Sequence, residues 1–264
     1  MQTSLIKSQK EIEILREGGA RLAVIIARLM EMVRPNLSSV ELENEARRLI
    51  SEGGDTSSFL GYKGRGDSKK FPSVLCVSVN NEVVHGIPSE NKILRDGDIV
   101  KLDLGIWHKG LCTDMAVTVP VGNISTELSK LIDTTKMALG VGIAAVRDGA
   151  TIGDIGNAIE KFVRNTCEGK QVGNYGIVRD LAGHGVGYAV HEEPVIPNFG
   201  KQGEGTRLQA GMVLAIEPML TLGAEHTKLG ADGFSYRTND NSVAAQFEHT
   251  IVVTEEGAEI LTQV

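Results

Sequence analysis

The sequence predicts a duplicated α+β fold whose two halves converge on one site, and three observations carry that expectation. Helix and strand signals run in the order helix, helix, strands, and the same order then repeats. A nearly constant offset lays one half over the other. Val33-Arg34 falls on Val146-Arg147 and Ser38 on Thr151, both shifted by 113, while Gly97-to-Asp103 falls on Gly211-to-Glu217, shifted by 114. This last shift carries a carboxylate at a strand end onto another carboxylate. A two-fold α+β arrangement with the site between its halves is the economical reading.

In the first half, Ile12, Leu15, Leu22, Ile26, Leu29 and Val33 recur at helical spacing and predict one apolar helix face from about residue 11 to residue 34. Pro35-Asn36 stops it. Ser38-Ser39-Val40-Glu41 has the S-x-x-E form of a capping box and opens a second helix through about Ser51, which Gly53-Gly54 closes. A loop rich in glycine and lysine (Gly61 to Lys70) leads to strand-like runs at Ser73 to Val79, Asp98 to Ile106 and Leu111 to Val119. In the second half a helix is expected from about Glu127 to Arg147, ending at Asp148-Gly149. Thr151-Ile152-Gly153-Asp154 opens another through about Cys167, and strand-like runs follow at Met212 to Met219 and Ala244 to Val253. The expected organisation is one catalytic domain over 1–264 with internal repeats at about 11–122 and 125–264.

Composition narrows the partners. A net charge of −7 argues against nucleic acid or an anionic membrane as the main partner, since both select basic surfaces. No stretch approaches the roughly 18 apolar residues that a membrane span needs. The N-terminal MQTSLIKSQKEIEIL lacks the apolar core and cleavage site of a signal peptide. Cys76, Cys112 and Cys167 are widely spaced and odd in number, which suits thiols in a reducing compartment. The cytoplasm is the expected location.

The chemistry is expected in a set of acidic residues on strands. The midpoint of Asp103 and Asp114 lies between His108 and Lys109, just before Gly110, a plausible hairpin turn. In an antiparallel pair bent there, residues whose numbers sum to 217 face one another, so the two carboxylates would sit opposite, with Cβ atoms about 4.5–5.5 Å apart. Flanked by Leu102, Leu104, Met115 and Val117, they would repel each other and lose hydration unless they shared a proton or bound cations. By the duplication, Glu217 matches Asp103, and Glu248 would be the far partner matching Asp114. Their midpoint falls at Asp232-Gly233, another turn dipeptide, although 30 residues intervene.

His184, in Gly183-His184-Gly185-Val186-Gly187, joins these four carboxylates as a candidate ligand. Alternating glycines let the backbone bend and bring the imidazole close. Four carboxylates and a neutral imidazole balance two divalent cations. The mostly oxygen donor set suits Mn, Co, Fe, Zn or Mg without choosing among them. Two such ions lower the pKa of a shared water and polarise a carbonyl, so amide hydrolysis is the natural reaction. No G-x-S-x-G or P-loop competes. His85 and His191 each follow a short apolar run and precede a proline-containing turn, one in each half, and are expected to polarise substrate from opposite sides of a cleft. His108, His226 and His249 are expected to be structural, with His249 on the opposite strand face from Glu248.

At these residues the sequence resembles the type I methionine aminopeptidases. The matching stretches are NEVVHGIP (Asn81 to Pro88), DIVKLDLG (Asp98 to Gly105), Thr113-Asp114, GHGVG (Gly183 to Gly187), HEEP (His191 to Pro194), AIEP (Ala215 to Pro218) and QFEHT (Gln246 to Thr250). The resemblance implies the pseudo-two-fold "pita-bread" fold: a central antiparallel sheet covered by helices, with a dinuclear metal site between the halves. It implies that Asp103 holds one metal, that His184 and Glu217 hold the other, and that Asp114 and Glu248 bridge both. The metals would be two divalent ions among Co, Mn, Fe, Zn and Ni. Glu217 would also relay the proton of the metal-bridged water or hydroxide that attacks the first peptide bond. His85 would contact the peptide near the new amine, and His191 the scissile carbonyl or amide. The implied activity removes the initiator methionine from nascent polypeptide N-termini when the second residue is small, in a monomer that makes at most a transient ribosome contact.

The 26-position step from His191 to Glu217 leaves no room for the helical insertion of the type II enzymes, and helices starting near residue 11 leave none for an N-terminal extension. The resemblance also implies a methionine pocket lined by Phe59, Tyr62, Cys76 and Phe234. Phe59, Arg65, Val190 and Phe234 stand where several bacterial relatives carry other residues, and the loop Arg65 to Lys70 looks longer and more polar. Two other readings compete. One is a proline-directed or creatine-type hydrolase of the same fold, and the other is a peptide- or ribosome-binding module without catalysis.

Overall fold

The structure, a computed structural model, describes residues 5–64, 69–167 and 175–264. Four α-helices and fifteen strands are found among them. Helix α1 (Gln9–Met32) begins two residues earlier than the apolar spacing predicts, because Ser8 and Glu11 form a capping box: the Glu11 carboxylate accepts the Ser8 N–H at 2.7 Å. Helix α2 (Ser39–Glu52) opens where predicted, with Glu41 accepting the Ser38 N–H at 3.0 Å. Helix α3 (Thr126–Ala144) stops three residues short of Arg147. Helix α4 (Ile152–Cys167) is capped by Asp154, which accepts the Thr151 N–H at 2.8 Å.

The strands of the first half are β1 (Thr56–Ser57), β2 (Leu75–Val79), β3 (Glu82–Val84), β4 (Ile99–His108) and β5 (Leu111–Pro120). Those of the second half are β6 (Gly176–Ile177), β7 (Gly183–Gly185), β8 (Glu192–Ile196), β9 (Val213–Ile216), β10 (Met219–Thr221), β11 (Thr227–Leu229), β12 (Tyr236–Thr238), β13 (Ala244–Gln246), β14 (Glu248–Val253) and β15 (Ala258–Ile260). The large antiparallel sheet runs β1-β4-β5-β14-β9-β7-β8, with β2 also on β4 and β15 also on β14. Two small sheets, β13-β10-β6 and β11-β12-β3, stand beside it. The centre of the large sheet is symmetric in kind: the β4–β5 pair of the first half meets the β14–β9 pair of the second.

Pleating separates the two faces of that sheet. Leu102, Leu104 and Ile106 of β4 and Met115 and Val117 of β5 share the main apolar core with Leu22, Ile26 and Leu29 of α1. Leu214, Ile216 and Ile251 share it with Leu131 and Leu139 of α3 and with Ile155 and Ile159 of α4. The helices therefore cover one face, and the residues of opposite parity form the other.

Two strand expectations are corrected. The β4–β5 hairpin turns on Lys109-Gly110, one residue later than the sequence midpoint, so paired numbers sum to 219, as in His108↔Leu111 and Gly105↔Asp114. Both turn residues have positive φ (48° and 85°), the backbone of the two-residue hairpin turn that matches strand twist. Asp103 consequently faces Ala116, and Asp114 is its diagonal neighbour on the same face rather than its direct partner. Second, the predicted runs Met212 to Met219 and Ala244 to Val253 each break into two strands, at Glu217-Pro218 and at Phe247. Proline has no N–H to continue a ladder, and at these breaks the chain leaves the large sheet for a small one.

Candidate metal centre

Pairing across the sheet aligns the acidic residues in two adjacent rows. One row runs Cys76 on β2, Asp103 on β4, Ala116 on β5 and Glu248 on β14. Glu217 stands one step past the last β9–β14 pair, His249↔Ile216, in line with Glu248. The next row runs Gly105, Asp114, Thr250, Ala215 and His184, with Thr250 Oγ1 accepting the Asp114 N–H at 2.9 Å. Directly paired residues share a face, so all five candidate ligands point the same way. Ala116 and Ala215 between them are small, and the place of a side chain at Gly105 is taken by Ser58. The pairing of Glu217 with Glu248, the less obvious of the two from sequence, thus has the register that its midpoint gave.

The ligand atoms of Asp114, His184 and Glu248 lie within 4.8 Å of one another. His184 Nδ1 donates to the Gly185 carbonyl at 2.9 Å, which leaves Nε2 as the free lone pair, 3.8 Å from Glu217 Oε1. Glu217 Oε2 accepts a hydrogen bond from Gln246 Nε2 at 3.0 Å. Asp103 Oδ1 and Glu248 Oε1 are buried with no hydrogen-bond partner, an expensive state for a carboxylate oxygen unless a cation or proton meets it. In the metal-free protein the electrostatics are those of crowded, dehydrated acids. Burial, then the charges of Asp114 and Glu217, holds Asp103 well above the usual carboxylate range. Burial pushes Asp114 up to about 7, and burial together with the Asp114 charge pushes Glu217 up to about 8. Glu248 is raised by the same causes, and burial lowers His184 to about 3, keeping its imidazole neutral. Orphaned carboxylate oxygens, a neutral imidazole and an oxygen-rich donor set fit a divalent cation.

The five residues line one cavity of about 1020 Å³, shared with His85, His191, Phe59, Tyr62, Cys76 and Phe234. His85 ends β3 in a left-handed conformation (φ 57°), its ring 5.8 Å from that of Tyr236. The His191 ring centroid is 4.4 Å from that of His184, and its Nδ1 is hydrogen-bonded to the Tyr62 hydroxyl at 2.7 Å. An aromatic wall runs from Phe59 through Phe71 to Phe234 in edge-to-face contacts of 6.4 and 5.6 Å. Val190 is buried in the apolar cluster behind this wall. Arg65 lies outside the described residues.

Sequence reading passed over residues of the site and of the strands that carry it. Phe71 is the middle of the aromatic wall, and its only signal is an apolar residue closing a polar loop. Gln246 sits inside a quoted motif without a role. Lys101, a charged residue inside the run Ile99 to Ile106, is fully buried. Its ammonium donates to the carbonyls of Asn80 at 2.7 Å and Ala244 at 2.9 Å, and burial lowers it to about 7. The other histidines are tied locally, as expected: His108 to Asp55 at 2.7 Å, His226 to Asp180 at 2.8 Å, and His249 to Thr262 at 2.9 Å.

Residues 13–255 match the metallopeptidase family M24. Methionine aminopeptidase 1 of Bacillus subtilis is 40% identical over 260 residues, 98% of this chain and 99% of its own length. The methionine aminopeptidase of Aquifex aeolicus is 41% identical over 262 residues, 97% of each chain. The crystal structure of a methionine aminopeptidase from Thermotoga maritima superimposes with a TM-score of 0.91 at 36% identity, covering 98% of this chain and 99% of that one.

Proposed function

The chain belongs to metallopeptidase family M24, among its methionine aminopeptidases, and from that premise we propose that it removes the N-terminal methionine from nascent polypeptides whose second residue is small. The observation that carries this reading is the meeting of buried Asp103, Asp114 and Glu248 with half-buried Glu217 and a neutral His184 on one sheet face, beside an aromatic pocket. The same premise gives the fold, a pita-bread arrangement of a curled antiparallel sheet and helices.

Asp103, Asp114, His184, Glu217 and Glu248 would hold two divalent cations. Mn, Co, Fe, Zn and Ni all suit the donors. Such cations polarise a carbonyl and lower the pKa of a water toward neutrality. The other steps belong to this chain's side chains. Glu217 Oε1 takes the proton of the attacking water and passes it to the departing amine, while Gln246 holds Oε2. Tyr62 donates to His191 Nδ1 and leaves Nε2–H to hydrogen-bond the scissile carbonyl. His85 receives the peptide near the new amine. Phe59, Tyr62, Cys76 and Phe234, with Phe71, enclose the methionine side chain. The two repeats act as one catalytic domain, since each supplies part of the ligand set.

A monomeric cytoplasmic enzyme fits this role, with nascent chains as its partners and only transient contact with the ribosome. No helix among the described residues is long and apolar enough to cross a membrane. The test is hydrolysis of Met-Ala-Ser against an Xaa-Pro peptide, with metal analysis of the same active sample. Cleavage of Met-Ala-Ser with about two divalent ions per chain is expected. Preferential cleavage of the Xaa-Pro peptide, or no hydrolysis after Co or Mn is added, would overturn the proposal.

A further inference from the structure

The segment ahead of α1 reaches across to the turn that carries His191. The Lys7 N–H donates to the Gly211 carbonyl at 2.8 Å, and Ile6 bridges Met212 in antiparallel fashion, which seats the segment beside the start of β9. The Lys7 side chain then turns inward. It is 1% exposed, its Nζ lies 2.6 Å from Glu192 Oε2, and it stands 4.4 Å from the centroid of the Tyr188 ring. The other Glu192 oxygen accepts the N–H of Ala189 at 2.8 Å and also that of Tyr188. One carboxylate, adjacent in sequence to His191, therefore gathers the backbone of its own turn on one oxygen and a distant ammonium on the other. Tyr188 in turn donates to Glu11 Oε1 at 2.9 Å, fastening the turn to α1. The path of the lysine stem explains the last glycine of Gly183-to-Gly187. Gly187 has φ 138°, and a Cβ there would come within 2.6 Å of Lys7 Cε.

We infer that Lys7 is a positioning residue for His191, acting through Glu192. A partly buried carboxylate deprived of its cation turns toward water, and that movement releases the turn it organises. His191 is the next residue along, and a displacement of about 1 Å at a substrate-polarising group is enough to cost on the order of 100-fold in rate. This inference rests on the reading that His191 contacts the substrate.

The test uses the full-length, metal-loaded enzyme and compares Lys7→Met, Lys7→Arg, Glu192→Gln and the double variant Lys7→Met/Glu192→Gln. Arg16→Met serves as control, since Arg16 also ties α1 to a distant carboxylate (Glu259, 2.6 Å) but from an exposed position. Lys7→Met is expected to lower kcat per metal-loaded site roughly 10- to 100-fold, with KM for Met-Ala-Ser changed less than about 3-fold. Lys7→Arg should recover most of the loss, and Arg16→Met should show none. The double variant should lose no more than Lys7→Met alone, because the two residues act as a unit.

The imidazole ¹⁵N resonances of His191 should shift in Lys7→Met even in metal-free protein. Unmoved resonances with kcat within 2-fold of the parent, or losses that multiply in the double variant, would overturn the inference. If Lys7→Met does not fold, Glu192→Gln and Lys7→Arg decide it by the same two readouts. His191→Ala is measured in parallel: full activity there removes the reading beneath the inference, whereas the resonance shift still decides whether Lys7 sets the ring.

Discussion

The two halves of the site reach the same sheet face by different routes. In the first half, Asp103 and Asp114 ride on a continuous hairpin of two ten-residue strands closed by a two-residue turn. In the second half, Glu217 and Glu248 stand where strands break, and the chain between them supplies four of the six strands of the two small sheets. The first pair is held by its ladder, and the Asp114 carboxylate accepts the N–H of Met115 at 3.0 Å. In the second pair Glu248 opens β14 opposite Ala116, whereas Glu217 lies just past the end of β9 and accepts a hydrogen bond from Gln246. Glu217 thus leans on a neighbouring side chain where the other three carboxylates rest on main-chain order.

The largest expected effect tests what the halves share. Asp103→Ala and Glu217→Ala should each lower kcat by at least about 1,000-fold and reduce bound metal, measured by peptide hydrolysis and elemental analysis. A normal rate in either variant would end the assignment of both residues to the centre. Next come the two histidines, one from each half. His85→Ala and His191→Ala should lower kcat by roughly 100-fold or more while metal stoichiometry holds, and loss of metal instead would make them ligands. A smaller effect separates the side-chain-supported Glu217. Gln246→Ala should weaken metal binding about 10- to 100-fold, read by titration, because it leaves Glu217 free to turn. An unchanged affinity would mean that the break at Phe247 aims Glu248 and Glu217 without help.

The metal-free protein gives a fourth comparison, in pH. The folded chain holds protons on Asp114 up to about 7 and on Glu217 up to about 8, whereas the unfolded chain has released them above about pH 4. Their contribution to stability is therefore present at low pH and is lost as pH rises through about 7 to 8. His184, lowered to about 3, acts in the opposite sense, but only below the ordinary histidine value of 6.5. The Tm of metal-free protein should fall between about pH 6.5 and 8.5, and excess Mn should flatten that fall by replacing protons with cations. A metal-free Tm that holds steady over this range would place the carboxylates in water.

What the sequence disclosed follows from what is local or periodic. Helix faces and caps depend on spacing within a few residues, so α2 and α4 begin where Ser38 and Thr151 predict. Parity along a strand is also local, so Asp103 and Asp114 were correctly put on one face. Register was not, because it turns on which residues adopt positive φ, and Lys109 gives no sign of that on its own. The strand breaks at Glu217 and Phe247 were hidden because strand-forming residues resume on either side of them, and only Pro218 hinted at one. Lys7, Phe71 and Lys101 were beyond reach: each matters through a partner that only the folded chain brings near.

The two rows of ligands also bear on the order in which the molecule is assembled. Asp103 and Asp114 can meet inside a hairpin, but Glu248, Glu217 and His184 come from strands that join it only when β14 pairs with β5. No segment of the chain carries all five candidate donors by itself, so the full set exists only once β14 has paired with β5 and the halves have docked. A cation that needs the full set binds last, and its loading exchanges the protons that the buried acids hold in the metal-free protein.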